Sequence, residues 1–130
     1  MDISKKTPSK EAVENGVWVE WDEETKFLIR STESKEYTRA MQKHGRKLKG
    51  EQAKSISAAR RMTMLCIKEA IVIDWKGVTE NGKELKCTEE NIEKLLAVPE
   101  LRDFIADSAV EHANFLQDSI EEEAKAVKKK

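Results

Sequence analysis

Cysteine and glycine are both scarce in this chain, and each scarcity removes a class of protein. The two cysteines, Cys66 and Cys87, lie far apart with no CxxC spacing. That argues against a disulfide framework or a thiolate metal site, and Cys66 reads as a small core residue. The five glycines are scattered at 16, 45, 50, 77 and 82, so no glycine-rich loop is present to cradle a phosphate. The two histidines, His44 and His112, sit on different segments, and neither has a second His or Cys three or four residues away. Asp103, Asp107 and Glu111 recur every fourth residue, which stacks carboxylates on one helical face. A solvated acidic face is a plainer reading of that pattern than a cation site. No Ser, His and Asp arrangement is suggested by local context. These absences point away from an enzyme, and no metal or cofactor is expected. The longest apolar run spans about twelve residues and is interrupted by Lys68-Glu69. A membrane-crossing helix needs roughly 20, so no membrane span is expected, and with no secretory leader a reducing cytoplasm fits best.

What the chain does have is charge. Charged residues make up 38% of the 130, and a net charge of −1 conceals a segregation. Lys35 to Arg61 carries nine basic residues against two acidic ones, a net of +7; Glu89 to Glu123 carries eleven acidic residues against Lys94 and Arg102, a net of −9. If the two segments are neighbours they attract; if not, each offers a patch to a partner. The basic segment raises nucleic-acid binding as an alternative. That reading is the weaker one, because the same segment leads into the most apolar helix.

The most informative stretch is Met62 to Val78, MTMLCIKEAIVIDWKGV. From Met62 to Ile73 only Thr63, Lys68 and Glu69 are not apolar, and a helix apolar on most sides must be surrounded by protein. The expectation is a central helix from about Glu51 to Ile73 that exits at Asp74-Trp75-Lys76-Gly77-Val78. Before it, residues 1–15 are polar and read as a disordered tail. Residues 16–31, GVWVEWDEETKFLIRS, hold two alternating runs around a polar loop and read as a β-hairpin. Trp18 and Trp21 lie close together there. Trp21 reads as core, and Trp18 either covers an edge or anchors a partner. A helix follows from the Ser31 to Ser34 region to about Leu48, with Tyr37, Met41, His44 and Leu48 on one face. Lys49-Gly50-Glu51 breaks it.

Asn81-Gly82 marks a turn in a long excursion from Asp74 to Thr88. A short helix from Thr88 to about Val98 follows. Pro99 then opens a last helix whose apolar face continues from Leu101 to Val127. The fold class expected is mainly α: one domain, residues 16–120, of about four helices with an N-terminal β-hairpin and a long C-terminal helix. Residues 121–130 would form its projecting, charged end.

Several of these pieces, in order, resemble a known family. They are the GVWVEW hairpin with Phe27-Leu28-Ile29-Arg30 as its return, the Asp74-Trp75-Lys76-Gly77-Val78 exit, the Asn81-Gly82-Lys83 turn and the Pro99-Glu100-Leu101-Arg102-Asp103 helix start. Over about residues 13–120 this succession resembles the tail assembly chaperones of long-tailed bacteriophages. The resemblance implies a non-enzymatic protein of the infected host's cytoplasm. Its partners would be the tape measure protein, a long helical chain that sets tail length, and the tail tube protein, with self-association as a further expectation. It would not be retained in the virion. The alternatives are a small helical nucleic-acid-binding protein or another phage structural or adaptor component. On the chaperone reading a projecting last helix supplies contacts through Leu116, Ile120 and Val127, with Trp18 as a further protein-binding residue.

Overall fold

A computed structural model of the protein describes residues 1–46 and 56–116. Its elements are a 3-10 turn at Ile3–Lys5, α1 at Lys10–Asn15, β1 at Val17–Glu20, β2 at Lys26–Ile29, α2 at Lys35–Gly45 and α3 at Ile56–Cys66. A π-helical turn, Ile67–Ile71, continues α3. Then come β3 at Val72–Lys76, β4 at Thr79–Glu80, β5 at Lys83–Glu84, α4 at Glu89–Leu96, α5 at Pro99–Val110 and a 3-10 turn at His112–Phe115.

This is a mixed α/β fold, which corrects the mainly α expectation. The correction begins at the supposed helix exit. Val72 to Trp75 is a strand, not the end of a helix, and it pairs antiparallel with β2. The segment 16–31 therefore does not stand alone as a hairpin resting on helices, although its two strands do pair antiparallel. It supplies β1 and β2 of a three-stranded sheet ordered β1-β2-β3. A continuous apolar run fits a buried helix and a buried strand equally well. What distinguishes them here is the β-branched pair Val72-Ile73 and the alternation that follows, with Asp74 exposed and Trp75 buried.

The sheet has one wet and one dry face. Val19, Phe27 and Trp75 are cross-strand neighbours on the dry face, and Trp18, Leu28 and Asp74 are neighbours on the other. A β-bulge at Leu28/Ile29 places Val72 opposite Ile29, so both are buried. The helices cover the dry face. Ile71, Leu95, Leu96 and Ile105 close the main core over Phe27 and Trp75. The Trp75 ring stands edge-on to Phe27, with centroids 6.4 Å apart, and its Nε1 donates to the Leu85 carbonyl at 2.7 Å. That bond ties the strand to the far end of the excursion. The excursion itself is the β4-β5 hairpin, turned by Asn81 (φ 52°) and Gly82 (φ 81°), the pair of left-handed conformations that a tight hairpin turn requires. Gly77 is fixed more sharply still: at φ 78° its backbone runs so close to Glu24 that a Cβ would collide with the Glu24 carbonyl oxygen.

The long C-terminal helix is the second correction. α5 stops at Val110, and Glu111 is extended. Asn114 turns back to donate to the Ser108 carbonyl at 3.0 Å, satisfying an end group of α5. Phe115 buries itself against Ala12 and Val17 in a second, smaller cluster. The apolar spacing persists across the break because Phe115 has its own pocket, so periodicity alone does not register it. The N-terminal stretch carries more packing than its polar composition suggests. Ser9 caps α1, Ala12 is buried, and Ser9 N–H donates to the Phe115 carbonyl at 2.8 Å. Arg30 joins these parts, donating through Nε to the Glu14 carbonyl at 2.8 Å and through its guanidinium to Ala70 at 3.2 Å. A cation there also suits the C-terminal end of the π turn. The expected break at Lys49-Gly50-Glu51 and the first turn of the central helix lie outside the described residues.

Candidate functional site

The central helix is apolar on most sides, yet among the described residues protein does not surround it. Its inner side is buried through Ala58, Cys66 and Ile67. Its outer side is open: Ile56 is 74% exposed and Leu65 37%. Two hollows flank this outer side. One, of about 390 Å³, lies toward α4 and includes Met64, Leu65 and Leu96. The other, of about 530 Å³, lies toward α5 and includes Ile56, Ile67 and Ala106. Arg60 and Met64 line both, so the hollows adjoin across α3. Eleven helical residues run about 16 Å, which gives the groove the length of about three helical turns. Isolated apolar residues on a surface mean little; a contiguous apolar hollow marks a place where something binds.

The groove lies on the seam between the basic and acidic segments, and its charges are unequally matched. Lys68, whose side chain is only 10% exposed, reaches Glu93 at 2.8 Å and Glu89 at 3.2 Å. The hydrogen bond to Glu93 holds its ammonium above its ordinary pKa against the opposing effect of burial, with Glu89 adding to it. Arg102 approaches Asp103 at 3.5 Å. Arg60 and Arg61 form no ion pair among the described residues and remain as excess positive charge on the rim.

Away from the groove, α2 meets the π turn through charge. His44 Nε2 lies 3.0 Å from Glu69 Oε1, and Lys43 Nζ lies 3.4 Å from the same oxygen. Burial raises the Glu69 pKa, but His44 and Lys43 together outweigh it, and the carboxyl ends below its ordinary value. Neither nitrogen of the buried His44 ring has a well-directed hydrogen bond among the described residues, so the Glu69 contact is a close approach and not an aligned bond. The thiols are quiet. Burial, with a smaller contribution from Asp74, pushes Cys87 up to about 11, and burial raises Cys66 as well. Among the described residues no group of three His, Cys, Asp or Glu is placed to hold a metal ion. No helix among them is long and apolar enough to cross a membrane.

Of the residues singled out from the sequence, Trp18 sits half-buried on the wet face of the sheet, with Lys76 Nζ 4.7 Å from its ring centroid. Trp21 packs edge-on against Phe104 at 5.1 Å. Leu116 is half-buried and forms an isolated bridge with Pro8, so it lies with the N-terminal cluster and not on a projecting helix. Ile120 and Val127 lie outside the described residues. Sequence reasoning missed Arg60, Met64 and Leu65. Their signal was present, since an adjacent Arg pair running into a largely apolar stretch is what a half-covered helix looks like.

The chain is thus a small α/β protein with an open apolar groove on one helix. Residues 32–129 match the family described as YdaY prophage protein, and the chain belongs to that family. It is a phage-related protein. No curated protein and no solved structure matches it.

Proposed function

We propose that this protein is a tail assembly chaperone of a prophage. It binds the helical tape measure protein in the host cytoplasm, helps recruit tail tube subunits to it, and is left behind when the tail is complete. It works by binding and not by catalysis. Membership of a prophage family supports the setting. The observation that carries the reading is the apolar groove along α3. A long amphipathic client kept soluble before the tube forms needs its apolar stripe covered, and a helix seated in a groove is the usual way to cover one. Release must follow, which suits a groove of about three turns better than an extensive interface.

The test is co-expression with the tape measure protein encoded by the same prophage. The client should stay soluble and co-purify, and mass analysis of purified particles should find this protein absent. Finding it in stoichiometric amounts in the particle would make it a structural or adaptor component instead. A DNA complex that weakens steeply with salt would favour the nucleic-acid alternative.

A further inference from the structure

We infer that the α3 groove selects its partner by charge: its occupant is an amphipathic helix of another protein whose apolar stripe is flanked by carboxylates. This deepens the chaperone reading and rests on it for the partner's identity. The chemistry of the occupant follows from the groove. Its floor is apolar, formed by Met64 with Ile67 on one side and Leu96 on the other. Its length fits about three turns of helix, enough for an i, i+4, i+7 stripe. The charges at its rim are not self-sufficient. Lys68 is spent on Glu89 and Glu93, and Arg102 lies beside Asp103. Arg60, which borders both hollows, and Arg61, which borders the one toward α4, have no carboxylate among the described residues. An occupant that fills the hollows brings its flanks against these two guanidiniums. Carboxylates there form charge-assisted hydrogen bonds, whereas lysines would meet like charge as water is excluded. An apolar floor with unpaired cations at the rim gives affinity through the floor and register through the rim.

The probe is a synthetic helical peptide of about four turns carrying a leucine stripe flanked by glutamates, compared with a twin in which lysines replace the glutamates. Anisotropy titrations use the full chain. The glutamate peptide should bind at least about tenfold tighter than its twin at low salt, and the margin should shrink as salt is raised. In the double variant Arg60→Glu/Arg61→Glu the preference should invert, so that the lysine twin binds better. That rescue separates rim recognition from damage to the fold, which circular dichroism checks directly.

Equal binding of the two peptides, or an unchanged preference in the double variant, overturns the inference. So does tighter peptide binding by the full chain carrying Glu121→Gln, Glu122→Gln and Glu123→Gln, because the groove would then belong to the chain's own acidic segment. Concentration-dependent dimerisation abolished by the double variant would assign it to a second copy and overturn it equally. The two readings fail separately. If the tape measure protein is solubilised with undiminished effect by the double variant, the groove inference fails and the chaperone reading stands. If the peptides behave as expected and the tape measure protein is not bound, the chaperone reading fails.

Discussion

The two ends of the apolar stretch are built from similar residues and are used in opposite ways. From Cys66 to Trp75 the chain turns through a π helix into an edge strand, and Ile71, Val72 and Trp75 vanish into the core. From Ile56 to Leu65 it remains an α-helix, and Ile56 and Leu65 stay exposed. A contiguous apolar hollow that the fold leaves open is a candidate binding surface. The comparison makes a definite claim: substitutions in the second half cost stability and those in the first half cost binding.

The largest effect is expected at Trp75. Its ring is 5% exposed, contacts Phe27 edge-on and donates to Leu85. Trp75→Ala should destabilise by about 3–5 kcal/mol in urea unfolding. A loss under about 1 kcal/mol would erase the distinction between the two halves, since surface positions typically cost no more than that. Trp75→Phe keeps most of the packing but leaves the Leu85 carbonyl without its donor, which should cost about 1–3 kcal/mol.

Gly77 comes next. Its positive φ and the Glu24 carbonyl oxygen beside it leave no room for a side chain. Gly77→Ala should cost about 1–3 kcal/mol through backbone strain alone, with more if β3 is pushed from β2. Gly82→Ala is the control. It shares the positive φ but has open space around it, so it should cost less, about 1 kcal/mol. Equal losses at the two glycines would mean that crowding against Glu24 is not what fixes the end of β3.

A smaller, pH-dependent effect belongs to Glu69, at the junction of the two halves. Its carboxyl sits below the ordinary 4.5 when folded, because His44 and Lys43 outweigh the effect of burial. A depressed folded pKa stabilises the protein above the unfolded value and stops doing so as pH falls through the folded one. Stability should therefore decline below about pH 4.5, and Glu69→Gln should flatten that decline. An unchanged slope in the variant would place the acid sensitivity in other carboxylates.

Much of the local detail was legible in the sequence, while the architecture was not. A cap for α2 within Ser31 to Ser34, Thr88 at the start of α4, Pro99 opening α5 and the Asn81-Gly82 turn all follow from short-range chemistry; the structure makes Ser34 the cap and keeps the others in place. The strand at Val72 to Lys76 depends on a partner over forty residues earlier in the chain, Lys26 to Ile29. No window of sequence contains that pairing. The break at Glu111 was hidden for a related reason: Phe115 satisfies the helical spacing but is buried by Ala12 and Val17, close to the other end of the chain. For the site, the apolar stretch was visible and its exposure was not. Composition says how much surface wants cover, and only tertiary placement says which side is left open.

Leu65 carries the smallest expected effect on stability and the sharpest use of the comparison. It lies one residue from the fully buried Cys66 on the same helix, yet is 37% exposed and borders the hollow toward α4. Leu65→Ser should change unfolding free energy by no more than about 1 kcal/mol, and hydrogen exchange in α3 should be little altered. Binding of the acidic helical peptide should nonetheless fall severalfold, because the serine removes apolar contact from the groove and presents a hydroxyl in its place. Cys66→Ser, its neighbour, should do the reverse, costing stability by placing a polar group in the core while leaving affinity unchanged in the fraction that remains folded. If both substitutions moved stability and binding together, α3 would be one continuous structural element and the groove an incidental hollow beside it.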